Sequence, residues 1–194
     1  MLTKHAGGRR IFMKIINLRN FNLLVFIIMH TVKIYPAIAL THAKTEAERN
    51  YIRALISWLQ TSFKDVEITL WAFDLATWTP IKVQSVKKHD LKLLAAADLP
   101  IFFYLQSAGS DGRGGESRMA VEWNKSMLAF KTEGVGISQF PVDDMADIGV
   151  VAQEFKVFED MRPTIQAAIS SILAEKKFMG EQLAFFAESG VLVA

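Results

Sequence analysis

The sequence predicts an α/β fold: a three-layer sandwich with a central, mostly parallel sheet of the flavodoxin-like or Rossmann-like kind. Three observations carry this. Short runs rich in Ile, Leu, Val and Phe alternate with longer segments of helical apolar spacing. Those runs are nearly uninterrupted by polar residues, as in strands covered on both faces. The chain has 194 residues, 51% of them hydrophobic, enough for one sizeable core. Strand-helix alternation in one such domain gives parallel strands joined by right-handed crossovers.

Residues 32–40 (VKIYPAIAL) read as the first strand, although Pro36 lacks an N–H and needs an edge, a strand end or a bulge. Thr45-Glu46-Ala47-Glu48 matches a capping box, and Ile52, Leu55, Ile56 and Leu59 follow at helical spacing up to Phe63. Residues 66–73 read as a second strand and 74–80 as a loop. Residues 84–97 read as a helix that turns Val86, Leu91, Leu94 and Ala95 to the core, and residues 99–105 (LPIFFYL) as the third strand. The Gly-rich stretch 110–116 (SDGRGGE) then leads into a helix expected over 116–131 and stopped by Gly134. A strand is expected over 135–140 and an acidic loop over 141–147. Residues 149–158 fit a short helix or a strand, and Pro163 opens a last helix to Lys177. The expected division is an N-terminal extension over 1–28, one domain over 29–180 and an apolar tail over 181–194.

The N-terminus supports two readings. Residues 13–39 have a basic start, an apolar stretch and Ala37-Ile38-Ala39, like a signal peptide of an exported protein. The alternative makes residues 32–40 a strand of a cytoplasmic protein, with residues 1–28 an extension or a mis-set start. His30, Lys33 and Pro36 interrupt the run, so no stable membrane span is expected. The net charge of +2 shows no large basic patch, so no nucleic-acid partner is expected. With no cysteine and four scattered histidines, disulfides, thiolate catalysis and a metal site are not expected. The Gly-rich loop lacks the Lys-Ser/Thr of a phosphate-binding loop and does not match GxGxxG after the first strand, and no serine sits in GxSxG. Neither ATP, NAD nor any other cofactor is expected.

Ligands of such sheets bind beyond the carboxyl ends of the strands. Glu116 stands at that edge, where it is either a first-turn glutamate favouring the helix dipole or an ionised carboxylate able to attack an anomeric carbon. Asp90 is either a solvated helix residue or a partner for a polar ring. Asp111 is either turn chemistry or part of the same pocket, with Gly112 and Gly114 allowing close backbone approach. Tyr35 is either core or placed to orient Glu116. Asp98 reads as a cap or turn residue, and His42 has no partner in the sequence.

Four features in order over residues 32–140 resemble the nucleoside 2-deoxyribosyltransferase family and its wider superfamily of N-glycosidic-bond enzymes. They are Ile34-Tyr35, His89-Asp90-Leu91, Ala97-Asp98 before an apolar strand, and the loop Asp111-Gly112-Arg113-Gly114-Gly115-Glu116. The resemblance implies that Glu116 attacks C1′ of a 2′-deoxyribonucleoside, with Tyr35 orienting it. Asp90 would bind the nucleobase and manage its proton, and Asp111, Gly112 and Gly114 would line the base or sugar pocket. A second base would then take the sugar, with no metal or cofactor. The small-molecule partner would be a nucleoside or nucleotide, and the protein a homo-oligomer. Arg113 favours a phosphate and keeps open a nucleotide N-glycosidase that uses water. A non-catalytic nucleotide-binding module is the alternative of another class.

Overall fold

The computed structural model describes residues 31–40, 43–69, 73–81, 85–105, 111–137 and 139–188, and of residues 80, 86, 111–114, 139–141, 144 and 183–188 the backbone alone. Residues 1–30, which hold most of the stretch read as a signal peptide, His42 and residues 106–110 lie outside the described residues. In chain order the elements are β1 (Val32–Ala37), α1 (Glu46–Ser62), β2 (Val66–Ile68), β3 (Phe73–Asp74), β4 (Thr79–Pro80), α2 (Val86–Ala96), β5 (Leu99–Tyr104), α3 (Asp111–Glu122), β6 (Leu128–Thr132), α4 (Gln139–Ala146), β7 (Gln153–Phe155) and, after a 3-10 turn, α5 (Arg162–Glu188). The main sheet has the order β2-β1-β5-β6-β7 with every ladder parallel. The pair β3–β4 is a separate antiparallel hairpin. The architecture is thus the predicted α/β sandwich.

β1 leads outward to β2, whereas every later crossover runs the other way. Right-handed crossovers therefore put α1 on one face and α2, α3 and α4 on the other. Arg162 donates from Nη1 to the Ser62 carbonyl at 3.1 Å, which fixes α5 beside α1. The chain reverses direction across the sheet between β1 and β5, and the crevice at the carboxyl ends of these two strands is the usual ligand position of such sheets.

β1 and β5 are buried nearly throughout because both of their faces are covered. Ile34, Tyr35, Ile101, Phe102 and Phe103 are fully buried. Each large side chain buried this way contributes about 1.5–3 kcal/mol. Phe103 stacks on Phe130 with centroids 5.9 Å apart, which ties β5 to β6. Pro36 fits a central strand because its neighbour has ended. The Ile34 carbonyl accepts from Thr69 N, so alternate residues of β1 turn their polar groups toward β2, and that pairing stops at Ile34–Ile68. Removing β1 would unpair both β2 and β5.

Asp98 fastens the other end of this strand pair. Its N–H donates to the Lys33 carbonyl and its Oδ2 accepts from Lys33 N, both at 2.8 Å. Lys176 of α5 donates to the same Oδ2 at 2.6 Å and to the Thr31 carbonyl at 2.8 Å. α1 keeps its expected capping box and buries the expected Ile52, Leu55, Ile56 and Leu59. In α2, Leu94 is buried as expected but Ala95 is exposed.

Several boundaries differ from expectation. The helix expected over 116–131 is α3 over Asp111–Glu122. Asn124, at φ +51, ends it in a left-handed turn in which Lys125 N donates to the Ala120 carbonyl at 3.0 Å, so Gly134 is not its stop. The chain released early forms β6 over Leu128–Thr132, and Gly134 at φ +76 turns it back. The strand expected over 135–140 is instead a connection and the start of α4, which also takes up most of the expected acidic loop. Of residues 66–73, expected as one strand, Val66–Ile68 form the short β2 and Phe73 begins one arm of the hairpin, while 70–72 lie outside the described residues. The segment 149–158 contains β7. α5 continues well past Lys177, into residues assigned from sequence to a separate tail.

Candidate active site

Tyr35 is the fourth residue of β1, next to the crevice, and is fully buried. Its hydroxyl donates to Glu116 Oε1 at 3.2 Å, joining residues 81 positions apart. Glu116 belongs to α3, on the helical face opposite α1, and is half-buried. The carboxylate is therefore held from inside by a strand, and the residue as a whole is partly exposed. At 3.2 Å the contact is longer than the ordinary O–H···O bond.

Glu116 does not begin its helix. α3 starts at Asp111, so the stretch read as a sharp Gly-rich turn forms the first turns of α3 and Glu116 lies in the second. That removes the first-turn cap as the reason for this glutamate, since the dipole effect falls off within the first turn. Ser117 beside it is fully buried. Asp111, Gly112 and Gly114 sit in the helical start of α3, at the carboxyl side of β5.

Asp90 lies in the first half of α2, which packs beside α3. Its Oδ1 is buried and has no hydrogen-bond partner among the described residues. Burial pushes the Asp90 carboxyl up from the ordinary carboxylate range, and His89 beside it partly opposes this. A half-buried carboxyl with an unmet oxygen is suited to exchange a hydrogen bond or a proton with a ligand.

No family model and no curated protein matches the chain. Among solved structures it is similar to a conserved protein from Enterococcus faecalis V583, with a TM-score of 0.48 and 16% identity over 71% of this chain and 98% of that one.

A cavity of about 450 Å³ opens on the α1 face, lined by Glu48, Tyr51, Leu105, Thr132, Phe155 and Lys156 among others. It touches the carboxyl ends of β5, β6 and β7 but none of the predicted site residues. Among the described residues, no three His, Asp or Glu side chains gather as a metal-ligand set, and no helix is long and apolar enough to cross a membrane.

Two features escaped the sequence reading. Asp98, at the amino end of β5, is more than a turn residue, because its carboxylate joins Lys33 N of β1 to Lys176 of α5. Arg49 and Arg53 of α1 hold the β3–β4 hairpin, yet in sequence they look like solvated helix charges; their one signal is the spacing of four that puts both on one helix face.

Proposed function

We propose that this protein cleaves the N-glycosidic bond of a deoxynucleoside and transfers the sugar to another nucleobase. The observation that supports this best is the hydrogen bond from the buried Tyr35 hydroxyl to Glu116 beside the β1–β5 crevice. A carboxylate gripped by a buried hydroxyl on a partly exposed residue suits a retaining displacement at an anomeric carbon. In this reading a Glu116 oxygen bonds to C1′ as the C1′–N bond breaks. The leaving base carries off the bonding pair and takes a proton, which Asp90 would supply. A second base then bonds to C1′, gives its proton to the Asp90 carboxylate and releases Glu116, so the configuration is retained. Two displacements at one carbon need carboxylates and no metal or organic cofactor.

Arg113, in the first turn of α3, favours a second reading. Helix amides and a guanidinium both favour an anion there, which fits a nucleotide substrate whose sugar passes to water.

The test is to incubate the protein with a deoxynucleoside and a different free base, then separate the products by chromatography. Exchange of bases supports the transferase. Free sugar without exchange supports the hydrolase. Neither product, with any of the common deoxynucleosides or their monophosphates, overturns catalysis and leaves a binding module.

A further inference from the structure

We propose that the cavity on the α1 face is a second small-molecule site, which takes a neutral, planar heteroaromatic molecule. It is separate from the Glu116 site and does not rest on the proposed function.

The strand ladders build this cavity. Side chains alternate across a sheet, so the register puts Tyr35, Tyr104 and Lys131 on one face and Phe103, Phe130 and Phe155 on the other. Tyr35 turns toward α3, and the three phenylalanines therefore turn toward α1. Phe130 packs on the other two rings, with centroids 5.9 and 6.4 Å apart, and fills the middle of that face. Nearer the carboxyl ends the same face carries Leu105 and Thr132, which are smaller, and the first turn of α1 brings only Ala47 to it. The space left is about 450 Å³, within the range of sites for small organic ligands. The sheet stands between it and Glu116.

The lining selects the ligand. Leu105, Phe155 and Tyr51 offer apolar and aromatic surface, and Tyr51 keeps 36% of its surface exposed although its ring meets Phe158 edge-on. Aromatic walls favour a flat partner that stacks on them or meets their edges. The charges at the cavity are already matched. Lys156 pairs with Glu133 at 3.0 Å, and Glu48 Oε2 accepts from the amides of Lys44 and Thr45 at 2.7 and 2.8 Å. A charged ligand would lose water without gaining a counter-charge, whereas a neutral ring avoids that cost.

Thr132 supplies the second observation. It lines the cavity, and its Oγ1 is buried with no hydrogen-bond partner among the described residues. Buried polar atoms are nearly always paired, and a ligand would complete this one. A hydroxyl donates and accepts, so a ring nitrogen or an N–H on the edge of a heteroaromatic ring suits it.

Ligand-detected magnetic resonance on the full chain, with adenine, nicotinamide and indole as separate probes near neutral pH, tests the site. At least one should bind with a dissociation constant below about 1 mM. Ala47→Phe fills the cavity from an exposed helix position and should abolish that binding. Thr132→Val removes the hydroxyl and should weaken binding roughly tenfold. It takes no partner away, so the melting temperature of the free protein should not fall. Glu116→Ala should bind as the parent does. Failure of all three probes overturns the site, as does binding that survives Ala47→Phe. Binding lost in Glu116→Ala would put the probe in the proposed active site and overturn a second one. Unchanged binding in Thr132→Val, or a lower melting temperature, overturns the role given to the hydroxyl.

Discussion

The Tyr35 hydroxyl donates to Glu116 Oε1 at 3.2 Å, so an interior strand of the sheet grips the carboxylate of a helix packed on its face. Tyr35 cannot follow solvent or rotate freely, because it is fully buried between β2 and β5. Tyr35→Phe therefore removes one hydrogen bond to a charged group and little packing. Such bonds are worth about 1.5–3 kcal/mol, so the variant should lose roughly ten- to a hundredfold in kcat, with KM nearly unchanged. Steady-state kinetics check this; a loss as large as that of Glu116→Ala would mean that Tyr35 does more than orient.

Asp90 should give the protein a pH-dependent penalty. Burial raises its folded-state pKa above the unfolded value. Between those two values the folded state holds more protons, so stability falls as pH rises through the window just above the ordinary carboxylate range. Asp90→Asn removes the titration. The melting temperature of the variant relative to the parent should rise between pH 4 and pH 7. A constant difference across that range would contradict the burial assigned to Asp90.

Asp98 and Lys176 should be energetically coupled. Their contact is 2.6 Å long and only a quarter or less of either side chain is exposed. Asp98 also accepts from Lys33 N, so Asp98→Ala leaves a backbone donor and an ammonium without this partner. We expect a loss of about 1–3 kcal/mol in urea unfolding, less for Lys176→Met, and a double variant less destabilised than the sum. Strict additivity would show that the clamp does not act as a unit.

Glu159 should contribute to the acid limb of stability. Hydrogen bonds from Arg162 and from the Trp58 indole N–H hold its carboxyl down at about 2. The folded pKa is depressed, so the contribution is present above the ordinary value and is lost as pH falls toward about 2. Glu159→Gln should lower the urea midpoint slightly at pH 7 and leave it equal to the parent near pH 2. The exposed position keeps the effect small.

Much of the fold was legible because its signals are local. β5 is six buried residues in a row, and α1 carries both its capping box and its four buried residues in plain spacing. Where the reading failed, two local rules competed. Met127, Leu128, Ala129 and Phe130 fit a helix as well as a strand, and Asn124 was a less conspicuous stop than Gly134. The partners that make β6 a strand, Ile101 to Phe103, are more than twenty residues away. Tyr35 and Glu116 were joined by their expected places at the sheet's ligand edge and by the resemblance, since no periodicity links residues 81 apart. The Gly-rich stretch looked like a loop because glycine is a poor helix former, yet it is helical at the start of α3. The contacts of Arg49 and Arg53 with Trp78 were illegible because a cation facing a ring through space looks, in sequence, like any solvated charge.

The most direct test of Glu116 as nucleophile is intact-protein mass spectrometry on acid-quenched turnover with a deoxynucleoside, followed by peptide mapping. A deoxyribosyl adduct on the Glu116 peptide, absent in Glu116→Ala along with base exchange, is the result expected. An adduct on another residue, or base exchange that persists in Glu116→Ala, would contradict it.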